Sequence, residues 1–439
     1  MSIQHKLSNE IDLNGEFRSI LDDMENTGRN MLITGKAGTG KSTLLEYFRS
    51  VTLKNVAVLA PTGVAALNVR GQTIHSFFHF KPDITPDSVH RVGRIQSFMY
   101  KALDAIIIDE ISMVRADLFD CMDRFMRLNG RDSSMPFGGA QLILIGDLYQ
   151  LPPVVTRDEE DIFKGHYASQ YFFDSHAFGQ MSFEHAELRT HYRQRDERFI
   201  ALLNAIRTNS ATDAHIRELN DRYDPIFRPK ESDTYITLTS TNRLADEINA
   251  DHLSKLFGVP HSYRGQITGE FDRKLLPTDE TLTLKQGAQV MLLNNDKEKR
   301  WVNGSIGKIE SIAHYETGDE VRVALLDGRT VDVGTYAWDL YHFSYDEVLR
   351  KLVSKKIGSF TQYPIMLAWA VTIHKSQGKT FDKVIVDVGR GTFAHGQLYV
   401  ALSRCTTLDG LVLRNLVKRE HIIMDGRVVR FLSGLEGRR

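Results

Sequence analysis

Cysteine, net charge and long apolar runs are what this sequence has little of, and each shortage excludes something. Two cysteines in 439 residues, Cys121 and Cys405, stand too far apart for a redox or metal-ligand spacing. No disulfide framework or thiolate metal site is expected, and both thiols read as buried filler in a reducing compartment. No apolar stretch approaches the ~20 residues that cross a bilayer as a helix. The polar opening Met1-Ser2-Ile3-Gln4-His5 has no secretory-signal character, so an intracellular, membrane-free protein is expected. A net charge of −1 excludes a chain coated in basic surface, although a narrow groove can still be basic. Internal repeats and low-complexity segments are absent from the sequence.

What is present is the composition of an ordinary globular protein, 42% hydrophobic and 25% charged, in a chain long enough for two to four domains. Met31-Leu32-Ile33, Val56 to Leu59, Ala105 to Ile108 and Leu142 to Ile145 are continuous apolar runs. Strands buried on both faces of a parallel sheet look like this. Each ends in Gly, Pro, Asp or Glu, which places polar chemistry at the carboxyl ends of the strands. A second alternating region begins near Leu188, with a strand at Tyr235 to Leu238 and a helix at Thr241 to Leu256. From Leu282 to Val333 the pattern turns to short strands separated by Asn303-Gly304 and Asp327-Gly328, the mark of a small antiparallel barrel. A strand at Lys383 to Asp387 and a helix starting at Gln397 to Arg404 resume the α/β pattern.

The strongest chemical signal is Gly35-Lys36-Ala37-Gly38-Thr39-Gly40-Lys41-Ser42, a G-x-x-x-x-G-K-S run between strand and helix. Backbone N–H groups can converge on phosphates there only where side chains are small, and the helix N-terminus adds its positive dipole end. Lys41 is expected on the β- and γ-phosphates and the Ser42 hydroxyl on Mg²⁺, with Thr43 beside them. Asp109 and Glu110 follow the third apolar run; Asp109 is expected to hold Mg²⁺ through water and Glu110 to polarise the attacking water. After the fourth run, Gly146-Asp147-Leu148-Tyr149-Gln150 brings an acid and an amide to the same edge, with Gln150 placed to sense the γ-phosphate. Arg193 and Arg404 are candidate arginine fingers for the transition-state charge.

Taken together in motif order, these residues resemble the PIF-type DNA helicases of helicase superfamily 1, related to the RecD group. The resemblance also rests on Ala60-Pro61-Thr62-Gly63-Val64-Ala65-Ala66, Gly71-Gln72-Thr73-Ile74-His75-Ser76-Phe77, Asp117 to Arg131 with Pro136-Phe137-Gly138-Gly139, and Ala370 to Gly378. It implies an α/β fold class: two RecA-like parallel-sheet domains, an SH3-like β-barrel insertion in the second and a small wedge element in the first. The expected divisions are 1–180, 181–281, 282–345 and 346–439. It implies ATP and Mg²⁺ as cofactors, with Gly378 also near the nucleotide, and an ATP-dependent, DNA-stimulated helicase moving 5′-to-3′ in DNA replication, repair or recombination. Single-stranded DNA and forked or tailed duplex are the implied partners. Pro61, Thr62, Gly63, Val64, Thr73, His75, Phe77, Thr372, His374 and Lys375 would line the strand track, with Phe77 stacking on a base. Trp301 and Lys297 to Arg300 are expected at a hairpin tip, and the segment Asp117 to Gly139 is expected to serve as the wedge. A monomer that can pair on DNA, cytoplasmic in a bacterium or nuclear or mitochondrial in a eukaryote, completes the implication. Phe17 stands where the family often has a base-reading Gln, which leaves base preference open. An ATP-switched clamp that binds DNA without separating strands is the alternative that motifs leave standing; a GTPase lacks its base-reading motif here.

Overall fold

The four apolar runs become adjacent or near-adjacent strands of one six-stranded sheet. The computed structural model describes residues 15–436 apart from positions 37, 82, 156–162, 164, 191–195, 231–232, 316–317, 347, 349–350 and 390–393. Strands β1 (Asn30–Gly35), β2 (Val56–Ala60), β3 (Gln72–Thr73), β4 (Ala105–Ile108), β5 (Gln141–Gly146) and β6 (Phe183–Leu188) stand in the order β3-β2-β4-β5-β1-β6. Every pairing is parallel.

Strand periodicity divides the apolar residues between two cores. Leu32, Ala57, Leu59, Ile106, Ile108, Leu142 and Leu144 face one side, and Met31, Ile33, Val58, Ile107, Ile143 and Ile145 the other. Each fully buried Leu or Ile contributes ~1.5–3 kcal/mol, so continuous apolar runs, rather than alternating ones, are what two covered faces require. The second core is closed by Phe17, Ile20 and Met24 of helix Gly15–Asn26 and by Leu44, Leu45 and Phe48 of helix Lys41–Val51. The first core is aromatic, with Phe77, Phe78, Tyr100, Phe119, Phe125 and Phe172 among its members.

The chain forms two units, Met1–Tyr192 with Leu340–Ile357 and Gly426–Arg439, and Arg193–Asp339 with Gly358–Asp425. The first unit therefore differs from the boundaries that patterning suggests in three places. Strand β6 pairs with β1 along its whole length but is half-buried, and its sequence Phe-Glu-His-Ala-Glu-Leu hides it from a search for apolar runs. Residues 340–357 are the outer part of a long hairpin, Tyr336–Asp346 with Lys351–Gln362, where Phe343 joins the aromatic core. Helix Gly426–Glu436 returns to the same core: Phe431 stacks on Phe173 at 4.3 Å, and Val428 and Leu432 are buried.

The second unit has its own four-stranded parallel sheet, ordered Ala370–Thr372, Ile236–Thr239, Val384–Asp387, Leu411–Leu413. Helix Asn242–Lys255 lies between the first two in sequence, capped by the Thr241 hydroxyl accepting from the Leu244 N–H. The insertion is a five-stranded antiparallel sheet, Thr330–Val333, Gly318–Leu325, Ile306–Tyr315, Gln289–Leu292 and Ile365–Leu367 in spatial order. Its core gathers Leu282, Leu284, Val290, Leu292, Val321, Val323 and Trp301. At the expected hairpin tip Lys297 to Arg300 stand exposed, but Trp301 is buried: its Nε1 donates to Asn294 Oδ1 at 2.9 Å, and the Arg300 guanidinium lies over the ring. Both cysteines are buried, as expected of filler.

Candidate nucleotide and nucleic-acid site

Three neighbouring strands, β4, β5 and β1, deliver their carboxyl ends to one edge of the first unit. The loop after β1 turns through positive φ at Gly38 (83°) and Gly40 (87°), a region that favours glycine. A Cβ on Gly35 would lie 2.5 Å from Thr39 Oγ1, so the loop closes on itself only because that carbon is absent. Lys41 Nζ curls over the loop and donates to the carbonyls of Gly35 (2.7 Å) and Lys36 (2.9 Å). Ser42 and Thr43 stand exposed at the first turn of helix Lys41–Val51. Glycine backbone, an ammonium, a hydroxyl and a helix N-terminus fit a polyphosphate with its Mg²⁺. Ala37 lies outside the described residues.

Asp109 is buried, and its N–H donates to Leu59 O at 2.9 Å. Burial pushes its carboxyl above the usual range, while the Glu110 N–H and the Lys41 ammonium pull the other way. A divalent cation beside it would reinforce the ionised form. Glu110 occupies the left-handed region at φ 53°, ψ 44°, a conformation that costs a non-glycine residue ~1–3 kcal/mol and clusters at functional sites. Two neighbours hold it there. Gly146 at the end of β5 lies against Ile111, where a Cβ would come within 3.0 Å of Ile111 Cγ2 and 3.2 Å of its N. The Ser112 side chain is buried behind the turn. From β5, Asp147 and Gln150 are buried, and Gln150 Nε2 donates to Asp147 Oδ2 at 3.2 Å.

The expected strand-track residues fall into a repeated local device. At the end of β2, Thr62 caps helix Gly63–Asn68, its hydroxyl accepting from the Ala65 N–H at 3.3 Å. At the end of β3, Thr73 caps helix Ile74–Phe78 by accepting from Ser76 N–H at 3.2 Å. In the second unit Thr372, ending strand Ala370–Thr372, accepts from Lys375 N–H at 3.3 Å. In each, the oxygen is used as an acceptor and the hydroxyl proton is left to donate to a phosphate oxygen. Val64 is exposed, and His374 and Lys375 are on the surface. Partial desolvation by the surrounding protein lowers both His75 and His374 from the ordinary histidine value, favouring neutral rings that can donate and accept.

One expected role is corrected. Phe77 is fully buried, edge-on to Phe78, Tyr100 and Phe343, so its ring stacks on the core and not on a base. Within the segment Asp117 to Gly139, helix Ala116–Asn129 is embedded, with Asp120 accepting from the Ala177 N–H and Asp123 from the Phe137 N–H, while the loop Arg131 to Met135 that follows it stands exposed. The exposed large apolar side chains of this region are Met135 (51% exposed) in that loop, and Ile95 (79%) and Phe98 (45%) on helix Arg94–Lys101; patterning alone did not single out the latter two.

The sequence profile of PIF1-like helicases matches residues 12–216, and that of the UvrD-like helicase C-terminal domain matches residues 367–412. An ATP-dependent DNA helicase Pif1 from Bdellovibrio bacteriovorus is 31% identical over 98% of this chain and 93% of its own length. The chain belongs to the PIF1-like helicase family. The PIF1 helicase of Emericella nidulans is 32% identical over 95% of the chain, which spans 62% of that relative's length. Among solved structures, Bacteroides sp Pif1 in complex with ADP-AlF4 superposes with a TM-score of 0.90 at 35% identity, covering 98% of each chain. Bacteroides Pif1 bound to ssDNA gives 0.69 at 35% identity and the same coverage. The α/β architecture with two RecA-like domains is that of this family.

Within a PIF1-like chain the remaining expected residues are placed as follows. Arg404 is fully buried in the second unit: Nε donates to Val400 O (2.9 Å), Nη1 to Ser376 O and Lys379 O, and Nη2 to Ser403 Oγ (2.8 Å). It braces the segment carrying Gly378, and to act as a finger it would have to release these carbonyls. Arg193 lies outside the described residues. Gln72, which sequence reasoning noted only as part of a motif, is fully buried; its Nε2 donates to Ser76 Oγ and its Oε1 accepts from the Phe343 N–H. No helix among the described residues is long and apolar enough to cross a membrane.

Proposed function

We propose that this chain is an ATP-dependent DNA helicase that moves 5′-to-3′ on single-stranded DNA and opens duplex ahead of it. The observation that carries the reading is the pairing of a phosphate loop and strained acidic turn at one strand edge with Thr-capped strand ends in both units. Gly35, Gly38, Gly40, Lys41, Ser42 and Thr43 would hold the nucleotide and Asp109 its Mg²⁺; bound Mg²⁺–ATP supplies the phosphoanhydride whose cleavage drives the cycle. Glu110, held in its left-handed turn, aims its carboxylate at water and takes the proton as water attacks. Gln150, tied to Asp147, reports from the end of β5. Thr62 and Thr73 in the first unit and Thr372 and Lys375 in the second donate to strand phosphates, alternately gripping as the nucleotide turns over. Bacteroides Pif1 bound to ssDNA and the structure of two coordinating Pif1 helicases at forked dsDNA support DNA as the track. The direction rests on the family resemblance, and Ile95 and Phe98 are the proposed strand-separating edge. Addition of single-stranded DNA should raise ATP turnover at least tenfold; an ATPase indifferent to DNA would contradict the reading.

A further inference from the structure

Within the second unit a cavity of about 500 Å³ opens between the barrel turn Val302–Ile306 and the segment Gly378–Lys383. Among the described residues, the one lining cation without an acidic partner is Lys379. Of the other charged side chains on its lining, Lys383 Nζ pairs with Asp233 (2.7 Å) and Asp327 with Arg329 Nε (2.9 Å), while the Asp382 carboxylate keeps its charge, its Oδ1 accepting from the neutral Thr406 Oγ1 (3.1 Å). Lys379 donates to Asn303 Oδ1 at 2.6 Å, and among the described residues no carboxylate lies within ion-pair distance of it. An ammonium has three donors, so two remain. Its aliphatic stem lies across Gly304, whose Cα carries φ 97° and where a Cβ would come within 3.4 Å of Lys379 Cγ. The lining also carries the hydroxyls of Ser305 and Thr380; Ser305 Oγ accepts from the Val302 N–H, which leaves its proton to donate. A desolvated cation with spare donors, flanked by hydroxyls and a glycine turn, is arranged for an oxyanion rather than for an apolar ligand.

We infer that this cavity is a phosphate-class oxyanion site in which Lys379, Asn303 and Ser305 bind a phosphate of the single strand, so that the barrel insertion reads the nucleic-acid backbone together with the parallel sheet. Desolvation lowers the Lys379 ammonium to about 8, the direction expected of a cation whose counter-charge arrives with a ligand. This inference rests on the helicase reading for the identity of the strand, but not for the chemistry of the site.

The test uses the full chain as wild type, Lys379→Met and Lys379→Arg. Anisotropy of a labelled oligothymidylate is followed from 50 to 200 mM NaCl, and KM for ATP is measured at saturating DNA. Loss of one phosphate contact makes the plot of log K against log salt shallower by about 0.7 for a single strand. Lys379→Met should show that change with KM for ATP unaltered, and Lys379→Arg should restore the slope. A merely structural lysine would lower affinity without moving the slope. A several-fold rise in KM at unchanged slope would keep the oxyanion site but give it to a nucleotide phosphate. Wild-type slope and KM in a folded Lys379→Met protein would overturn the site. Wild type that fails to bind the oligonucleotide at all would instead contradict the helicase reading.

Discussion

Phe343 donates its backbone N–H to the Oε1 of Gln72 at 3.2 Å, across 271 positions of chain, and its ring meets Phe77 edge-on at 6.0 Å. Strand Tyr336–Asp346 is thus tied at Phe343 to the turn that presents Thr73 and His75. Truncating Phe343 to Ala removes a buried ring and should cost ~3 kcal/mol of stability. Chemical denaturation reads that loss, and oligonucleotide anisotropy should show weaker single-strand binding while nucleotide affinity stays within twofold of wild type. Unchanged stability would mean that Phe343 is not part of the first core.

Glu110 combines strain with chemistry, so its two substitutions should separate them. Glu110→Gln keeps the shape of the side chain but loses the base; turnover should fall roughly a hundredfold or more, with nucleotide binding retained. Glu110→Gly also loses turnover, yet relieving the left-handed strain should raise stability by about 1 kcal/mol. A Glu110→Gly protein less stable than wild type would show that the turn is not strained. Lys41→Ala, by contrast, should weaken nucleotide binding itself, measured by titration.

Much of this site was legible because its chemistry depends on spacing. Gly35 to Ser42 and Asp109-Glu110 need fixed residue types at fixed intervals after a buried strand, and the structure puts them at neighbouring strand ends. The barrel was legible from turn signals at Asn303-Gly304 and Asp327-Gly328. What escaped was decided by long-range packing. Phe77 reads as a base-stacking aromatic, but nothing local in sequence distinguishes a core ring from an exposed one, and it is buried. Strand β6 escaped because an edge strand need not be apolar on both faces. The return of helix Gly426–Glu436 to the first core depends on Phe431 meeting Phe173, a contact between residues 258 positions apart, as 431 minus 173 gives.

Lys379 gives a pH signature. Its folded value, near 8, lies below the ordinary 10.5, so between these limits the unfolded chain binds more protons and stability rises with pH. Below pH 8 the desolvated charge is a full cost. Lys379→Met should therefore melt higher than wild type at pH 7, with the difference shrinking as pH climbs toward 10.5. A gap that stays constant across that range would place the ammonium in bulk water.

Ile95 and Phe98 test the separating edge. Replacing both with Ser removes exposed apolar surface and should leave folding and DNA-stimulated ATP turnover near wild type, because neither side chain belongs to a core. Unwinding of a forked duplex should fall at least several-fold. Equal loss of ATPase and unwinding would assign the pair to the motor instead of the edge.

In the proposed function, nucleotide turnover at Lys41, Asp109 and Glu110 is converted into directed movement that parts DNA strands. Two partial duplexes of the same sequence, one with a 5′ single-stranded tail and one with a 3′ tail, measure this directly in the presence of ATP and Mg²⁺. The account predicts strand release from the 5′-tailed substrate, none from the 3′-tailed one, and none from either with Glu110→Gln. Efficient release from the 3′ tail would contradict the direction, and tight binding with ATP turnover but no release from either would make the protein a clamp rather than a helicase.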